Sequence, residues 1–309
     1  MDGDPVRQVR IRPGITVGEL VRELEGSGAF NGGSLAKACG VTEAMFRDGK
    51  ATTFMGLAGA MVPAGMGGIV SDLIDRGYVD ILVSTGANLV HDMVEAIGCR
   101  HYHGSAECSD NELRRQGINR IYDVYVSDET FTQFEEFIQG VFGRLGEGTV
   151  ISTSGLLAMV GEHLPSGILA TAARKGVPVY CPAVQDSVFG LQFSLFSQTH
   201  RVVVDAFGDM KGFLDRCFTA ERAGALIIGG GVPKNFIFQG MLLAPHGFSY
   251  AVQLTGDRPD LGGLSGATLD EARSWGKLTS DARGVTVYGD ATITLPILAA
   301  AVLERLSRG

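Results

Sequence analysis

Seven short apolar runs decide what this chain can become: residues 79–84, 149–152, 177–184, 201–205, 225–228, 250–254 and 285–288. Most are continuous rather than alternating, which is how strands covered on both faces read. Helical patterns separate them. Thr16 and Glu19 have the spacing of a capping box that opens a helix over 17–25. Ser127-Asp-Glu129 opens an amphipathic stretch reaching about Leu145, and 215–223 and 269–275 read as further helices. The last helix, 296–306, has Pro296 at its start, where proline is tolerated. Strands alternating with helices predict an α/β fold, a Rossmann-like parallel sheet with helices on both faces. No linker, repeat or charge run interrupts the pattern. The expected organisation is a short mobile arm over residues 1–15 and a single domain over 16–309.

Glycine sharpens this picture. It supplies 44 of 309 residues, about twice the ~7% of an average soluble protein. Proline is low at 10 and no Gly-X-Y period is present, so the surplus belongs to a packed fold. There it marks tight turns or close backbone approach. Gly56, Gly59, Gly65, Gly67 and Gly68 follow one strand-like block, and Gly86, Gly229 to Gly231, Gly256, Gly262, Gly263 and Gly289 sit at or beyond strand ends. The residues beyond the runs are small, polar or acidic: Thr85-Gly-Ala87, Gln185-Asp186, Thr255-Gly-Asp257 and Gly289-Asp-Ala291. Ligands of open parallel sheets bind beyond the carboxyl ends of the strands. Backbone amides for phosphate and acids for ribose hydroxyls suggest a nucleotide crevice, although the GxGxxG fingerprint is absent.

Other classes recede. Hydrophobic residues at 45% and charged residues at 19% exclude a disordered chain. A net charge of −8 lacks the basic excess that nucleic acid demands. Five cysteines without a CxxC, an N-terminus without an apolar core and no run long enough to span a bilayer lead us to expect a cytoplasmic protein with no membrane partner. Neither GxSxG nor GxxxxGK[ST] occurs. Cys99-Arg-His101-Tyr-His103 holds metal-ligand residue types, but the spacing fits no common zinc pattern, and no metal is expected. His91-Asp92 reads as a helix-surface hydrogen bond or a polarised imidazole.

The segment Leu269-Asp-Glu271-Ala-Arg-Ser-Trp275-Gly-Lys277 carries the only tryptophan. Glu271 and Trp275 are i,i+4 neighbours on a helix, and Gly276 allows the helix to end before Lys277. A lysine amine against an aromatic plane in a desolvated pocket can lose its proton and attack a carbonyl or imine carbon. The indole face also suits an ammonium, and a nearby acid suits its amine end. The plainer reading is an amphipathic helix ending on a solvated lysine.

These residues, with Leu264-Ser-Gly-Ala267 before them, resemble the active-site lysine segment of the deoxyhypusine synthase family, which shares a superfamily with homospermidine synthase. Further blocks agree in order and spacing: Thr52-Thr-Phe-Met-Gly56, Val79-Asp-Ile-Leu-Val-Ser-Thr85, Cys181-Pro-Ala-Val-Gln-Asp186, Gly229-Gly-Gly-Val-Pro-Lys234 and Val287-Tyr-Gly-Asp-Ala291. The likeness runs from about Gly49 to Leu303. It implies an NAD-dependent aminobutyl transferase. Such an enzyme moves the aminobutyl group of spermidine, through an enzyme-lysine imine, to a lysine of the hypusine-bearing translation factor. It also implies a homotetramer with active sites at a dimer interface.

Carried over by position, Lys277 is the imine-forming lysine. Glu271, Trp275, Asn235, His91, Gly262 and Leu264 fall at the substrate. Gly59, Ala60, Thr85, Gly86, Ala87, Asp186, Gly230, Thr255, Gly256, Asp260, Asp290 and Ala291 fall at NAD. The chain departs from the eukaryotic pattern in several places. Ala58-Gly-Ala60 replaces Thr-Ser-Asn, His91 replaces a glutamate, Leu191 and Leu264 replace aspartates, and Asn235 replaces a histidine associated with dehydrogenation. These departures keep open a homospermidine synthase-like or agmatine-using transferase of small amines, and an inactive NAD-binding paralogue.

Overall fold

The computed structural model describes residues 3–308, which form two compact units. One combines residues up to Leu57 with Phe213 onward; the other is Ala58–Gly212. The sequence reading drew no boundary within 16–309. The unit that starts the chain also finishes it, so the second unit is an insertion and no linker composition marks the joins.

The chain opens extended and exposed over residues 3–15, tied down where Arg7 N–H donates to the Gly26 carbonyl (3.2 Å) and Arg10 N–H to Glu23 (3.0 Å). Helix α1 (Val17–Ser27) begins with the expected capping box of Thr16 and Glu19. Helix α2 (Phe30–Arg47) leads into β1 (Ala51–Leu57). The second unit then runs α3 (Gly67–Asp75), β2 (Ile81–Ser84), α4 (Gly86–Ala96), β3 (Tyr102–His103), α5 (Asp110–Arg115), β4 (Ile118–Ile121), β5 (Val124–Ser127) and α6 (Asp128–Phe142). It continues with β6 (Val150–Ser152), α7 (Thr153–Glu162), α8 (Gly167–Lys175), β7 (Val179–Tyr180), α9 (Val188–Phe196) and β8 (Val203–Asp205). Helix α10 (Gly208–Thr219) brings the chain to β9 (Arg222–Ile228), α11 (Gly231–Leu243), β10 (Phe248–Thr255), α12 (Leu269–Ser274), β11 (Leu278–Tyr288) and α13 (Ala291–Ser307).

In the first unit the strand order is β11-β10-β9-β1, all parallel. Ala223–Ile228 is buried without a break, so both faces of β9 are covered. The glycines say by what. Gly224 and Ile227 are an odd number of residues apart and face opposite sides. A Cβ at Gly224 would strike Met45 of α2, whereas one at Gly56, in register with Ile227, would meet Ile237 of α11 at 3.2 Å. Helix α2 therefore covers one face and α11 the other, with α1 and α13 packed on α2. Under α11, Phe54 meets Phe213 and Phe248 edge-on at 6.0 and 5.6 Å.

The second unit pairs β2 with β7 and β6 with β8 in parallel, and folds β3-β5-β4 into a small antiparallel sheet. Helix α8 packs on α3, α4 and α7. Among the described residues no single helix is long and apolar enough to cross a membrane; the bent pair α7 and α8 passes by composition.

Two helix readings need correction. The stretch 215–223 is not one helix: α10 spans Gly208–Thr219, and Ala223 lies in β9. The last helix starts not at Pro296 but at Ala291, where Asp290 caps it by accepting the Thr292 N–H at 2.8 Å; Pro296 lies inside. The expected His91–Asp92 hydrogen bond is absent as well. Asp92 is buried and accepts the N–H groups of Ile168 (2.7 Å) and Leu169 (2.9 Å) at the start of α8. Burial pushes its carboxyl up to about 6, against the pull of those two bonds. Replacing Asp92 by alanine strands two buried donors, and should lower stability by about 2–4 kcal/mol in urea denaturation. An unchanged midpoint would show that α8 does not depend on this carboxylate.

Candidate active site

The carboxyl ends of β9, β10 and β11 lie in step, because Ile228 is in register with Leu254, and Leu254 with Val287. Three loops therefore emerge side by side, carrying Gly229–Gly231, Thr255-Gly-Asp257 and Gly289-Asp-Ala291. Gly229 and Gly231 take φ of 74° and 56°, values that an L side chain resists. Gly230 is extended, but a Cβ there would collide with the backbone of Ser265. The first turn of α11 is thus pressed against the chain before α12, and Gly231 N–H donates to Ser265 Oγ at 3.0 Å.

Two buried polar side chains hold that contact. Gln253 of β10 donates through Nε2 to the carbonyls of Gly229 (2.9 Å) and Ser265 (2.7 Å). Its Oε1 accepts from Lys234 Nζ at 3.0 Å, and the same ammonium donates to the carbonyls of Leu264 (3.3 Å) and Ala267. Three N–H groups meet three acceptors. Burial pushes the Lys234 amine down to about 8, with Glu271 opposing the shift and Lys277 adding to it.

Helix α12 follows. Thr268 and Glu271 form a second capping box, in which Glu271 Oε2 accepts the Thr268 N–H at 2.7 Å. Trp275 ends the helix and Gly276 turns the chain at φ 72°. Gly276 N–H then reaches the Arg273 carbonyl (2.9 Å) and Lys277 N–H the Ala272 carbonyl (3.0 Å). This paired closure is the usual way for a helix to end on a left-handed glycine. Arg273 ties α12 to the next strand by donating to the carbonyls of Thr279 (2.7 Å) and Ala282 (2.7 Å). Lys277 Nζ then lies 5.6 Å from the centre of the Trp275 ring. Burial holds its pKa below the ordinary lysine value.

Lys277, Trp275, Glu271, Asn235 and Leu264 line one cavity of about 360 Å³, together with Lys234, Phe238 and Leu242. Its walls are mostly apolar, and Glu271 is the one carboxylate among the lining residues. Five of the seven residues expected at the substrate are thus together. Gly262 is exposed and closes a short 3-10 turn at Pro259–Leu261. His91 lies in the second unit, bonded to His101.

The residues expected at NAD fall in both units. In the first, Gly230, Thr255, Gly256, Asp290 and Ala291 occupy the strand ends just described, and Asp260 is exposed in the 3-10 turn. In the second, Gly59 and Ala60 follow β1, with the Gly59 carbonyl accepting from Asn88 at 2.7 Å. Thr85 caps α4, with Gly86 and Ala87 its first residues. Asp186 is exposed before α9, and a Cβ on Gly86 would strike neighbouring Ser187. Sequence reasoning gave no role to Lys234, Gln253 or Ser265. The Gly-Gly-Gly-x-x-Lys run was the one signal for the first, and nothing local marks the other two.

An α/β sheet thus carries strand-end loops of glycine and acid and, in the same unit, a cavity holding a half-buried lysine. The family follows from comparison. Residues 19–302 match the family model for deoxyhypusine synthase, and the chain belongs to the deoxyhypusine synthase family, which makes it a transferase. "Probable deoxyhypusine synthase 1" of Methanosarcina mazei is 55% identical over 306 residues, covering 98% of this chain and 96% of that one. The protein of the same name from Archaeoglobus fulgidus is 45% identical over 97% and 98%. A provisionally assigned deoxyhypusine synthase of Entamoeba histolytica has the same fold by crystallography, with a TM-score of 0.65 over 94% of each chain at 17% identity.

Lys234 offers a direct test of this wall. Its amine sits at about 8 in the folded chain against an ordinary 10.5, so between those values the unfolded chain binds more protons and stability rises with pH. Lys234→Met should cost about 2–3 kcal/mol near pH 7 by stranding buried carbonyls, and the gap to the parent should widen from pH 8 to pH 10. Urea denaturation at both values reads it; a gap that narrows contradicts a buried, depressed amine.

Proposed function

We propose that the chain is an NAD-dependent aminobutyl transferase of the deoxyhypusine synthase type, taking spermidine as donor and a lysine of the hypusine-bearing translation factor as acceptor. The observation that carries this reading is Lys277, its amine partly desolvated beside Trp275 in a cavity with a single carboxylate.

The strand ends suit the cofactor. Gly229 and Gly231 turn the chain at the end of β9, and Thr255 and Asp290 stand at the adjoining strand ends. The chemistry NAD supplies when bound is to accept a hydride from an amine-bearing carbon and to return it at the end. The protein's part is nucleophilic. The neutral Lys277 amine adds to the carbon of a substrate C=N bond, the original amine departs as diaminopropane, and the butyl fragment stays as an imine on Lys277. The acceptor lysine displaces Lys277 by the same exchange. Trp275 gives the alkyl chain a flat apolar wall, and Glu271 faces its ammonium end.

Homotetrameric assembly belongs to the same reading, and exposed Leu191, Leu195 and Phe207 are apolar surface that a second copy could cover. A second reading, transfer between small amines as in homospermidine synthase or from agmatine, is favoured by Leu264 in the cavity wall, which leaves Glu271 as its one acid.

Incubation with NAD and spermidine followed by borohydride should leave an aminobutyl adduct on Lys277, absent from Lys277→Arg. An adduct from agmatine alone would select the second reading. Heat protection by NAD with no adduct from either amine would mark an inactive NAD-binding paralogue. The mass of the product formed with the translation factor or with free putrescine identifies the acceptor.

A further inference from the structure

The one carboxylate of the lysine cavity has only one of its oxygens open. Thr268 caps α12 and lines the cavity beside Glu271. Its N–H donates to Glu271 Oε2 at 2.7 Å, and its hydroxyl donates to the same oxygen at 3.3 Å. In return Thr268 Oγ1 accepts the Glu271 N–H at 3.1 Å. The basic side chains nearby do not compete for the acid. Arg273, two residues on, is spent on the carbonyls of Thr279, Ser280 and Ala282. Lys234 is spent on Gln253, Leu264 and Ala267. Among the described residues no protein group bonds to Glu271 Oε1.

A carboxylate oxygen offers two lone pairs. Those of Oε2 are both taken by hydrogens of Thr268, and those of Oε1 are open. Two kinds of organic cation meet such an acid differently. An alkylammonium is a compact charge with rotatable N–H bonds, so a single oxygen satisfies it. A guanidinium is a flat fork, at its strongest when two parallel N–H bonds meet both oxygens of a carboxylate. At Glu271 the second N–H of the fork meets an oxygen already filled. The box also fixes the Glu271 side chain before a ligand arrives, so its rotamer freedom is not lost again on binding. Phe238, Leu242, Leu264 and Trp275 give the alkyl part of either cation the same apolar wall. The distinction between the two therefore falls on the acid.

We propose that Thr268 is a specificity residue: it makes Glu271 a one-oxygen acceptor, so that the lysine cavity takes alkylammonium ends in preference to guanidinium ends. That the ammonium belongs to an aminobutyl donor rests on the aminobutyl-transfer reading; the order of preference between the two cations does not. Thr268 acts through Glu271 and is a positioning residue. A donor that carries both cations, as agmatine does, is then held at Glu271 by its ammonium end.

Trp275 is the only tryptophan and stands in the cavity wall, so its fluorescence reads occupancy in the full chain without cofactor or turnover. Titrated at neutral pH with n-butylammonium and n-butylguanidinium, the parent should bind the ammonium about fivefold more tightly, the worth of one hydrogen bond at about 1 kcal/mol. Thr268→Val removes the hydroxyl and should bring the two ions close to parity; Thr268→Ser should restore the preference. Where the valine variant does not fold, Thr268→Asn, which still caps a helix but offers no hydroxyl, takes its place. A merely structural loss of the cap would weaken both ions together and leave their ratio where it was. Glu271→Gln can still complete the box and should weaken both ions about tenfold by removing the charge. In turnover, Thr268→Val should raise KM for spermidine several-fold, with kcat falling less. A parent that binds butylguanidinium at least as tightly as butylammonium overturns the proposal. So does a ratio that losing the hydroxyl leaves unmoved, or Trp275 emission that neither ion changes. If the titrations behave as expected and no spermidine is turned over, the transferase reading fails alone.

Discussion

The buried Lys234 ammonium organises the wall on which Lys277 stands. Taking a charge out of water costs several kcal/mol unless its donors are matched, and here three acceptors meet three N–H groups. Two of those acceptors, the carbonyls of Leu264 and Ala267, belong to the loop that leads into α12. The loop cannot lift without stranding the cation. Helix α12 has six residues, too few to persist on local propensity. It is held instead at one end by the Thr268–Glu271 box, which the loop positions, and at the other by Arg273 on the carbonyls of β11. Lys277, two residues past the last turn, inherits its place from these ties.

The same bonds distinguish the two neighbouring lysines, and the proposed nucleophile is the one they leave free. Each N–H of Lys234 is spent on an acceptor, so deprotonation would leave a buried carbonyl without a donor. Lys277 has no such engagement among the described residues; its Nζ lies 5.6 Å from the centre of the Trp275 ring. Desolvation alone lowers its pKa, and nothing is lost when its proton goes. Hydrogen bonding therefore ties the Lys234 amine in place and leaves the Lys277 amine unbonded.

Much of the frame was legible because it rests on local rules. The Thr16–Glu19 box, the continuous apolar strands and the Trp275-Gly276 helix end all follow from residues within a turn of each other. The misreadings arose where a local rule met a longer element. Pro296 read as a helix start by its usual preference, but Asp290 caps the helix and the proline is carried inside it, at the loss of one backbone bond. The strand β1 was heard only as a family block, and β3 to β5 are too short and too exposed to give an apolar run. In the site, Lys277, Trp275 and Glu271 were readable as one segment. Lys234, Gln253 and Ser265 were not, because their meaning lies in partners 12 to 34 residues away. His91 and His101 failed for a related reason. The nine residues between them include the turn that closes the distance, and the adjacent Asp92, which looked like the partner, accepts instead from the start of α8.

On the proposed transferase reading, the cavity's charge balance would tie amine binding to activation of Lys277. With all lining groups ionised it would hold two ammonium groups and one carboxylate. A cationic amine entering such a space meets net repulsion, and burial already holds both lysine amines below their ordinary value. Each ammonium bound near Glu271 would raise the cost of a proton on Lys277, since neighbouring like charges disfavour one another. By reciprocity, losing that proton strengthens binding of the ammonium by the same free energy. An acid-poor cavity is then suited to its chemistry. Further carboxylates would hold the substrate more tightly but would also hold the proton on Lys277, and the amine would arrive beside an ammonium that cannot attack it.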